Sequence, residues 1–333
     1  MIKGFAAYEA GGMLKPFEYD PGPLKTDEVE IDVHYCGICY SDIHMIDNDW
    51  EISDYPFVPG HEVVGKISAT GKNVLHLKTG EIVGLGWHAG YCMTCEYCLS
   101  GDHNLCVNSQ ATVVGHHGGF AEKVRARAAS VVKLPDSIDR KSAGPLFCGG
   151  ITVFNPLIQF NIKPTDRVGV IGIGGLGHLA LQFLNAWGCE VTAFTSSEEK
   201  MREALSLGAH RAVHSRNYTE IGKHAGKFDF LISTVHGSLD WNVYLESLHP
   251  KGRLHFVGAV PDPLVLNLTP LIVGQRNVSG SPVGSPGNIV KMLDFAVRHN
   301  IKPVIEKFKF EEVNEAIALL RSGKAHYRIV LYW

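Results

Sequence analysis

An apolar run, a glycine-rich turn and a helical pattern follow one another in residues 166–188, which read DRVGVIGIGGLGHLALQFLNAWG. The turn has the spacing G-x-G-x-x-G. Its first glycine permits a tight bend, its second lets the backbone approach a pyrophosphate, and its third allows close helix-to-strand packing. A plain strand-to-helix turn is the alternative, but the elements on both sides favour a dinucleotide whose phosphates meet the helix N-terminus. The predicted binding residues are Gly172, Gly174, Gly175, Leu176 and Gly177.

The same rhythm continues after this turn. The strand-like run CEVTAFT, the helical run SEEKMREALSLGA and the strand-like runs FDFLIST and GRLHFVGA follow in order. Strands that alternate with helices predict an α/β fold with a parallel, doubly wound sheet. Residues 1–148 instead alternate short β-like runs with Gly, Pro and Asp, which indicates a β-rich domain. We expect a nucleotide-binding domain over 149–284, and a segment 285–333 that returns to the first domain because it is too short for its own core.

Composition narrows the class of protein. A chain of 333 residues with 45% hydrophobic residues and a formal net charge of −3 is typical of a two-domain globular protein. It shows neither a basic tract nor a long apolar run, so we expect no nucleic-acid or membrane partner. The N-terminus lacks the apolar core of a signal peptide, which favours the cytoplasm. Thiols stay reduced there, so closely spaced cysteines favour metal ligands or redox groups over disulfides.

The end of the second strand, FTSSEEK, is where the cofactor ribose is usually read. Small hydroxyls and a lysine can hold a 2′-phosphate, which a carboxylate would repel. NADP is therefore favoured over NAD, although Glu198 and Glu199 leave NAD open. Either serine can also cap the next helix, and the two roles are compatible. The residues expected at the 2′-phosphate are Thr195, Ser196, Ser197 and Lys200.

Residues 92–106, CMTCEYCLSGDHNLC, hold half of the eight cysteines. Four thiolates around one ion leave no open position, which is the property of a structural zinc site. An iron–sulfur cluster is disfavoured because the last gap is seven residues and no proline follows. Redox thiols would not need four. The predicted ligands are Cys92, Cys95, Cys98 and Cys106.

Seven motifs occur together and in order: YCGICYSDIH, PGHEVVG, the four-cysteine loop, GGFAE, PLFCGGITVF, GIGGLGH and TSSEEK. With them the chain resembles, over essentially its whole length, the zinc-dependent medium-chain dehydrogenase/reductases, and within them the cinnamyl alcohol dehydrogenase-like branch. The resemblance implies a GroES-like catalytic domain, a Rossmann domain, two zinc ions and NADP(H). Family members are dimers or tetramers, so it also implies a homodimer or homotetramer.

The resemblance also implies a catalytic zinc. Its ligands are then Cys39, His61 and Cys148, with Glu62 or a water molecule in the fourth position. Taken singly, each residue has a plainer interpretation, since buried thiols and core histidines are common. Their joint occurrence in matching motifs favours the metal.

Further roles follow from the same resemblance. The family's proton route runs from a hydroxyl beside the zinc through the nicotinamide ribose to a histidine, here Ser41 and His44. Asp42 matches the carboxylate that orients the zinc-bound histidine. Arg328 matches an arginine that often reaches the cofactor phosphates, although it can also simply decorate the last strand.

The predicted function is that of a zinc-dependent NADP(H) alcohol dehydrogenase or aldehyde reductase. The substrate is expected to be a primary alcohol or aldehyde, aliphatic or aromatic, because Trp50 and Trp87 approximate pocket-lining positions. One alternative is an NAD-dependent polyol or sugar dehydrogenase on the same scaffold. The other is a non-enzymatic protein that binds zinc and NADP.

Overall fold

The structure is a computed structural model that describes residues 1–258 and 262–333. The chain forms two compact units, Met1–Ile151 with Val283–Trp333, and Thr152–Pro282. Sequence analysis placed the domain boundaries after residues 148 and 284, and the structure divides the chain after residues 151 and 282. The last residue of the predicted strand GRLHFVGA lies outside the described residues.

Strands and helices are numbered in chain order. The strands are β1 (Ile2–Ala6), β2 (Lys15–Tyr19), β3 (Glu28–Ile38), β4 (Glu62–Thr70), β5 (Ile82–Leu85), β6 (His88–Gly90), β7 (Gln110–Ala111), β8 (Lys123–Arg127), β9 (Val132–Lys133), β10 (Arg167–Ile171), β11 (Glu190–Thr195), β12 (Arg211–His214), β13 (Phe228–Ser233), β14 (Leu248–Phe256), β15 (Asn277–Gly280), β16 (Ile305–Lys309) and β17 (Arg328–Tyr332). The α-helices are α1 (Tyr40–Asp47), α2 (Glu96–Ser100), α3 (Gly149–Gln159), α4 (Gly177–Trp187), α5 (Glu198–Ser206), α6 (Tyr218–Gly222), α7 (Trp241–Ser247), α8 (Leu268–Val273), α9 (Pro286–Arg298) and α10 (Val313–Arg321). Short 3-10 helices cover His103–Leu105, Ala128–Ser130, Gly144–Phe147 and Phe310–Glu312.

The first unit is built on a seven-stranded sheet in the order β16-β17-β3-β4-β5-β9, with β8 also paired to β3. Strand β3 is long enough to pair with β17, β4 and β8, and most of its side chains are buried. The C-terminal segment enters this sheet because β17 pairs antiparallel with β3, with Ile329 opposite Ile38.

The second unit contains a six-stranded sheet in the order β12-β11-β10-β13-β14-β15, and every pairing in it is parallel. Strands β10 and β11 are buried along nearly their whole length, as expected when helices cover both faces of a parallel sheet. Buried Phe194, Leu231 and Leu254 belong to its core. The α/β fold with a doubly wound parallel sheet, predicted from the alternating pattern, is confirmed.

Among the helices that the structure describes, none is both long and apolar enough to span a membrane.

Candidate active site

Three side chains far apart in sequence meet at one end of the large sheet. Gly37 of β3 pairs with Glu62 of β4, so Cys39 and His61 both lie just past the paired ends. The Sγ atoms of Cys39 and Cys148 are 3.8 Å apart, and Nε2 of His61 is 3.2 Å from Sγ of Cys148. With a carboxylate oxygen of Glu62, the four ligand atoms all lie within 4.8 Å of one another.

The donor set of this cluster fits a zinc ion. Two thiolates that each lie about 2.3 Å from a tetrahedral zinc are about 3.8 Å apart, and the two sulfurs have that separation. All four residues are buried. Oε2 of Glu62 has no hydrogen-bond partner among the described residues. Because an unsatisfied buried carboxylate oxygen is costly, this atom is suited to be a metal ligand.

Asp42 orients both the histidine and the first cysteine of the cluster. It is fully buried and accepts hydrogen bonds from Nδ1 of His61 at 2.8 Å, from the backbone N–H of Gly60 at 3.0 Å and from that of Cys39 at 2.9 Å. With Nδ1 bonded to Asp42, Nε2 presents its lone pair to the sulfurs. Cys39 is also the N-cap of α1, so one carboxylate holds the helix start and the cluster together.

The charges around Cys39 favour its thiolate form. A hydrogen bond from the Cys148 thiol lowers the pKa of Cys39 well below its ordinary value, and the positive charge of Arg328 acts in the same direction against the effect of burial. Metal ligation requires deprotonated thiols. Cys39 is therefore the sulfur of this cluster that is prepared for metal binding.

The four-cysteine loop forms a second, separate cluster. Its ligand atoms also lie within 4.8 Å of one another, with Sγ of Cys92 at 3.9 Å from Cys98 and 3.5 Å from Cys106. Backbone N–H groups of Thr94 and Cys95 lower the pKa of Cys92 to about 5. No fifth donor belongs to this cluster in the described chain, so its donor set fits a closed structural zinc site.

The glycine-rich turn has the geometry that a dinucleotide needs. Gly172 has φ of +90°, a conformation that favours glycine. A Cβ at Gly177 would lie 2.0 Å from the backbone oxygen of Gly172, so α4 can pack on β10 only without that side chain. Around Gly174 a Cβ would meet no atom within 4 Å. That open space lies where a pyrophosphate is expected to approach the backbone.

The end of β11 presents the predicted ribose-reading residues in different ways. Thr195 is buried, Ser196 is exposed, and Ser197 and Lys200 are half-buried. Ser197 is the N-cap of α5, and its hydroxyl accepts a hydrogen bond from the backbone N–H of Lys200 at 3.2 Å. Of the two serines that could cap α5, Ser197 is the N-cap, and Ser196 is left exposed to solvent.

Comparison with known proteins decides the family. A model described as an alcohol dehydrogenase GroES-like domain matches residues 25–136, and one described as a zinc-binding dehydrogenase matches residues 175–298. Aldehyde reductase AdhA of Synechocystis sp. is 64% identical over 331 residues, which cover 99% of this chain and 98% of that protein. The chain belongs to the zinc-dependent alcohol dehydrogenases.

Solved alcohol dehydrogenases share the fold of this family member. The cinnamyl alcohol dehydrogenase SbCAD4 of Sorghum bicolor matches with a TM-score of 0.95 at 36% identity, covering 99% of this chain and 97% of its own. A cinnamyl alcohol dehydrogenase of Helicobacter pylori, complexed with NADP(H), matches with a TM-score of 0.91 at 32% identity. The match covers 99% of this chain and 97% of the Helicobacter chain. The predicted family, GroES-like and Rossmann domains and enzyme class, a zinc-dependent alcohol dehydrogenase, are confirmed.

Arg328 lies at the metal cluster of this alcohol dehydrogenase. Because Ile329 is opposite Ile38, the first residue of β17 arrives next to Cys39, and its guanidinium pairs with Glu62. Both side chains are buried within the first unit. A cradle for Glu62 is completed by Gly37, where a Cβ would lie 1.9 Å from Oε2 of that carboxylate. Contact of Arg328 with the cofactor phosphates stays a prediction, and its observed partner is Glu62.

Asp49, which sequence reasoning missed, contacts the histidine of the predicted proton route. Oγ of Ser41 is 3.8 Å from Sγ of Cys39, and His44 lies one turn later on α1. Nδ1 of His44 is 2.6 Å from a carboxylate oxygen of Asp49. The available signal was an acidic residue five positions after the histidine, just beyond the helix end. This contact orients the imidazole of His44.

Two tryptophans form an aromatic wall beside the cluster in the alcohol dehydrogenase's first unit. The rings of Trp50 and Trp87 are 5.8 Å apart and nearly perpendicular. Trp87 also packs edge-on against His61 at 5.0 Å, and Trp50 lies 5.2 Å from His44. Apolar aromatic surface therefore lies next to both the metal cluster and the histidine of the predicted relay.

Proposed function

We propose that this alcohol dehydrogenase reduces aldehydes with NADPH, and oxidises the corresponding primary alcohols in reverse, at the cluster of Cys39, His61 and Cys148. The observation that carries the proposal is the buried donor set of two sulfurs, one imidazole nitrogen and one carboxylate oxygen within 4.8 Å. This donor set lies next to the hydroxyl of Ser41 and to the aromatic rings of Trp50 and Trp87. The similar Synechocystis protein is named an aldehyde reductase, which supports the proposed direction.

Three ligands and an exchangeable fourth are assigned to the metal. Cys39, His61 and Cys148 would hold zinc, and Glu62 would exchange with water or substrate in the fourth position. Zinc bound there would supply a Lewis acid that polarises the substrate oxygen. Asp42 keeps His61 in the ligating orientation. Arg328 offsets the charge of Glu62 and restrains that carboxylate from one side.

Proton movement is assigned to helix α1. Ser41 holds the hydroxyl nearest to the cluster, and His44 holds a side chain that is 26% exposed and can exchange protons with solvent. Asp49 fixes the orientation of the His44 imidazole through the 2.6 Å contact. Because both relay residues belong to one rigid helix whose start is tied down by Asp42, their spacing is preorganised.

The cofactor preference is assigned to the end of β11. NADPH would supply the hydride. Thr195, Ser196 and Ser197 occupy positions where NAD-specific sites carry a carboxylate, and Lys200 follows in the first turn of α5. Hydroxyls and a cation tolerate a 2′-phosphate, which favours NADP(H). The similarity to a Helicobacter enzyme complexed with NADP(H) supports this preference.

The proposed substrate has an apolar body. Trp50 and Trp87 offer aromatic faces and edges beside the cluster, and such walls favour aliphatic or aromatic aldehydes over polyols. This distinguishes the proposal from a polyol or sugar dehydrogenase on the same scaffold, which needs polar groups to bind several hydroxyls.

One experiment tests the proposal as a whole. The purified protein is assayed for zinc content and for oxidation of NADPH and NADH with benzaldehyde and aliphatic aldehydes, side by side with the oxidation of a polyol. We expect turnover of aldehydes with a lower KM for NADPH than for NADH. Cys39→Ser should abolish turnover with the fold retained. The control Cys189→Ser changes a buried thiol outside both clusters and should leave turnover intact. Absence of aldehyde turnover by the zinc-loaded wild-type protein would refute the proposal.

We also propose a homodimer, or a homotetramer built from it, that pairs through the second unit. Strand β15 is at the edge of the six-stranded sheet. Exposed apolar side chains precede it, at Val265, Leu268, Ile272 and Val273. An exposed edge with apolar neighbours is a typical pairing surface. Light scattering measures the state, and Val278→Pro, which removes an edge N–H, should favour the monomer.

A cytoplasmic location is proposed from the chemistry of the thiols. All eight cysteines are free, and six of them are the proposed zinc ligands. A reducing compartment keeps them in that state. Fractionation of cells that express the tagged full chain, followed by immunoblotting, tests this location.

A further inference from the structure

Arg216 follows the edge strand β12 at the end of the sheet where the cofactor is expected. In parallel sheets, ligands bind beyond the carboxyl ends of the strands. Thr195 of β11 is paired with His214 of β12, and the backbone N–H of Ser215 donates to the backbone oxygen of Thr195 at 2.8 Å. Neighbouring strands are about 4.8 Å apart. The register therefore brings Arg216, one residue later, alongside the Ser196–Ser197 segment.

The backbone that carries Arg216 is fixed while its side chain is accessible. Its N–H donates to Nδ1 of His214 at 3.3 Å. The next residue, Asn217, is the N-cap of α6, where its side chain accepts from the backbone N–H of Glu220. The residue itself is exposed. Within residues 1–258 and 262–333, no carboxylate forms an ion pair with the Arg216 guanidinium.

Three other cations of this unit pair with carboxylates. Arg211, at the opposite end of the same strand, pairs with Glu190 at 3.1 Å. Lys223 pairs with Glu220 at 2.8 Å, and Arg167 pairs with Asp229 at 3.7 Å. Among the described residues, Arg216 thus has no carboxylate partner, and the strand register places it alongside the segment that carries Ser196 and Ser197.

We propose that Arg216 binds the 2′-phosphate of NADP(H) from the β12 side, opposite Lys200, and is a specificity-determining residue for the cofactor. A guanidinium presents paired N–H donors that match phosphate oxygens. Ser196, on the segment alongside Arg216, supplies an exposed hydroxyl. This inference rests on the proposed preference for NADP(H) and adds to it the residue that distinguishes the phosphorylated ribose from the plain one.

Direct binding of two probes to the full-length protein tests the inference without turnover. Adenosine 2′,5′-bisphosphate carries the 2′-phosphate, and 5′-AMP lacks it. Isothermal titration calorimetry should show that Arg216→Ala weakens binding of the bisphosphate about tenfold, which equals about 1.4 kcal/mol, and changes binding of 5′-AMP less than twofold. Arg216→Lys, which keeps a point charge but not the paired donors, should lose only part of the affinity. The KM ratio of NADPH to NADH should change in parallel.

Arg211→Ala is the matched control, because it removes the same charge from the other end of the same strand. It should leave both probes unaffected. If it weakens the bisphosphate as much as Arg216→Ala does, the effect is long-range charge and the assigned contact is wrong. Unchanged discrimination in Arg216→Ala also overturns the inference while leaving the preference for NADP(H) intact. If the wild-type protein binds both probes equally, the preference itself fails, and the role of Arg216 with it.

Discussion

Replacing Asp42 with Asn should release the catalytic zinc while leaving the four-cysteine zinc in place. The carboxylate is fully buried and accepts from three donors, on His61, Gly60 and Cys39. One of its oxygens receives two of these bonds, and the other receives the Cys39 N–H. An asparagine that keeps its oxygen toward His61 and Gly60 turns its NH₂ group toward the N–H of Cys39.

The magnitude follows from that count. Two buried donors then face each other without an acceptor, and each unsatisfied group costs about 1–3 kcal/mol. The expected loss in the free energy of unfolding is therefore about 2–6 kcal/mol. Removal of the carboxylate that orients a ligating histidine typically lowers metal affinity about 10–100-fold. Both effects have one cause, because Asp42 holds the start of α1 and the metal cluster simultaneously.

The assay has two readouts. Urea unfolding followed by tryptophan fluorescence gives the stability change, and zinc analysis after dialysis against graded chelator gives the number of ions retained per chain. Wild-type protein should keep two ions, one for each cluster, under conditions in which Asp42→Asn keeps one. The control is Asp47→Asn on the same helix. It breaks a partly exposed pair with Arg321 and should cost less than about 1 kcal/mol.

The reasoning is refuted if Asp42→Asn retains both ions at every chelator concentration and unfolds within about 0.5 kcal/mol of the wild type. Loss of both ions together would also contradict it, because that result would mean global unfolding and not local release.

Three further predictions use other parts of the chain. Gly177→Ala should destabilise the second unit, because the added Cβ would lie 2.0 Å from a backbone oxygen. Gly174→Ala should leave thermal stability unchanged but weaken NADPH binding, because its Cβ enters the open space expected to hold the pyrophosphate. Thermal unfolding measures the first effect and calorimetric titration with NADPH the second. Cys95→Ser should remove the structural zinc and lower the midpoint of thermal unfolding, while KM at a temperature below that midpoint stays unchanged. An unchanged midpoint would argue against a structural role. Burial lowers the pKa of His255 to about 4, below the ordinary value of about 6.5, so the unfolded chain binds the proton more readily and stability should fall as the pH drops from 6.5 to 4, by up to about 3 kcal/mol. His255→Asn should reduce that pH dependence in urea unfolding, and an identical dependence would contradict the assignment.

Sequence reasoning succeeded where a function depends on neighbours along the chain. The glycine turn could be predicted because strand, turn and helix occupy one continuous stretch, and the steric demand at Gly177 arises from Gly172, five residues away. The four-cysteine cluster was predictable for the same reason, since all its sulfurs lie within residues 92–106. Strand β12, by contrast, is short and carries few apolar residues, so its pattern did not stand out.

The proposed catalytic cluster could not be predicted from spacing alone. Cys39 and Cys148 are 109 residues apart, and composition or periodicity cannot say that they meet. Family resemblance selected them, but they meet because of tertiary packing. Cys39 follows β3, and Cys148 follows the 3-10 helix Gly144–Phe147, which packs so closely on β4 that a Cβ at Gly144 would lie 2.6 Å from the backbone oxygen of Glu62. The paired ends of β3, β4 and β17 stop at the same edge of one sheet, so the residues just beyond them converge.

The sequence by itself determined the two-domain α/β architecture, the dinucleotide turn and the closed thiolate site, because each depends on local pattern and short spacing. The tertiary structure alone decided that Arg328 pairs with Glu62 across 266 residues and that the end of β12, which precedes Arg216, lies beside the end of β11. Sheet pairing sets these contacts, since a register shift of one residue would turn each side chain to the other face. Chemistry-bearing residues can therefore be found along the chain, but only the folded sheet shows which of them act together.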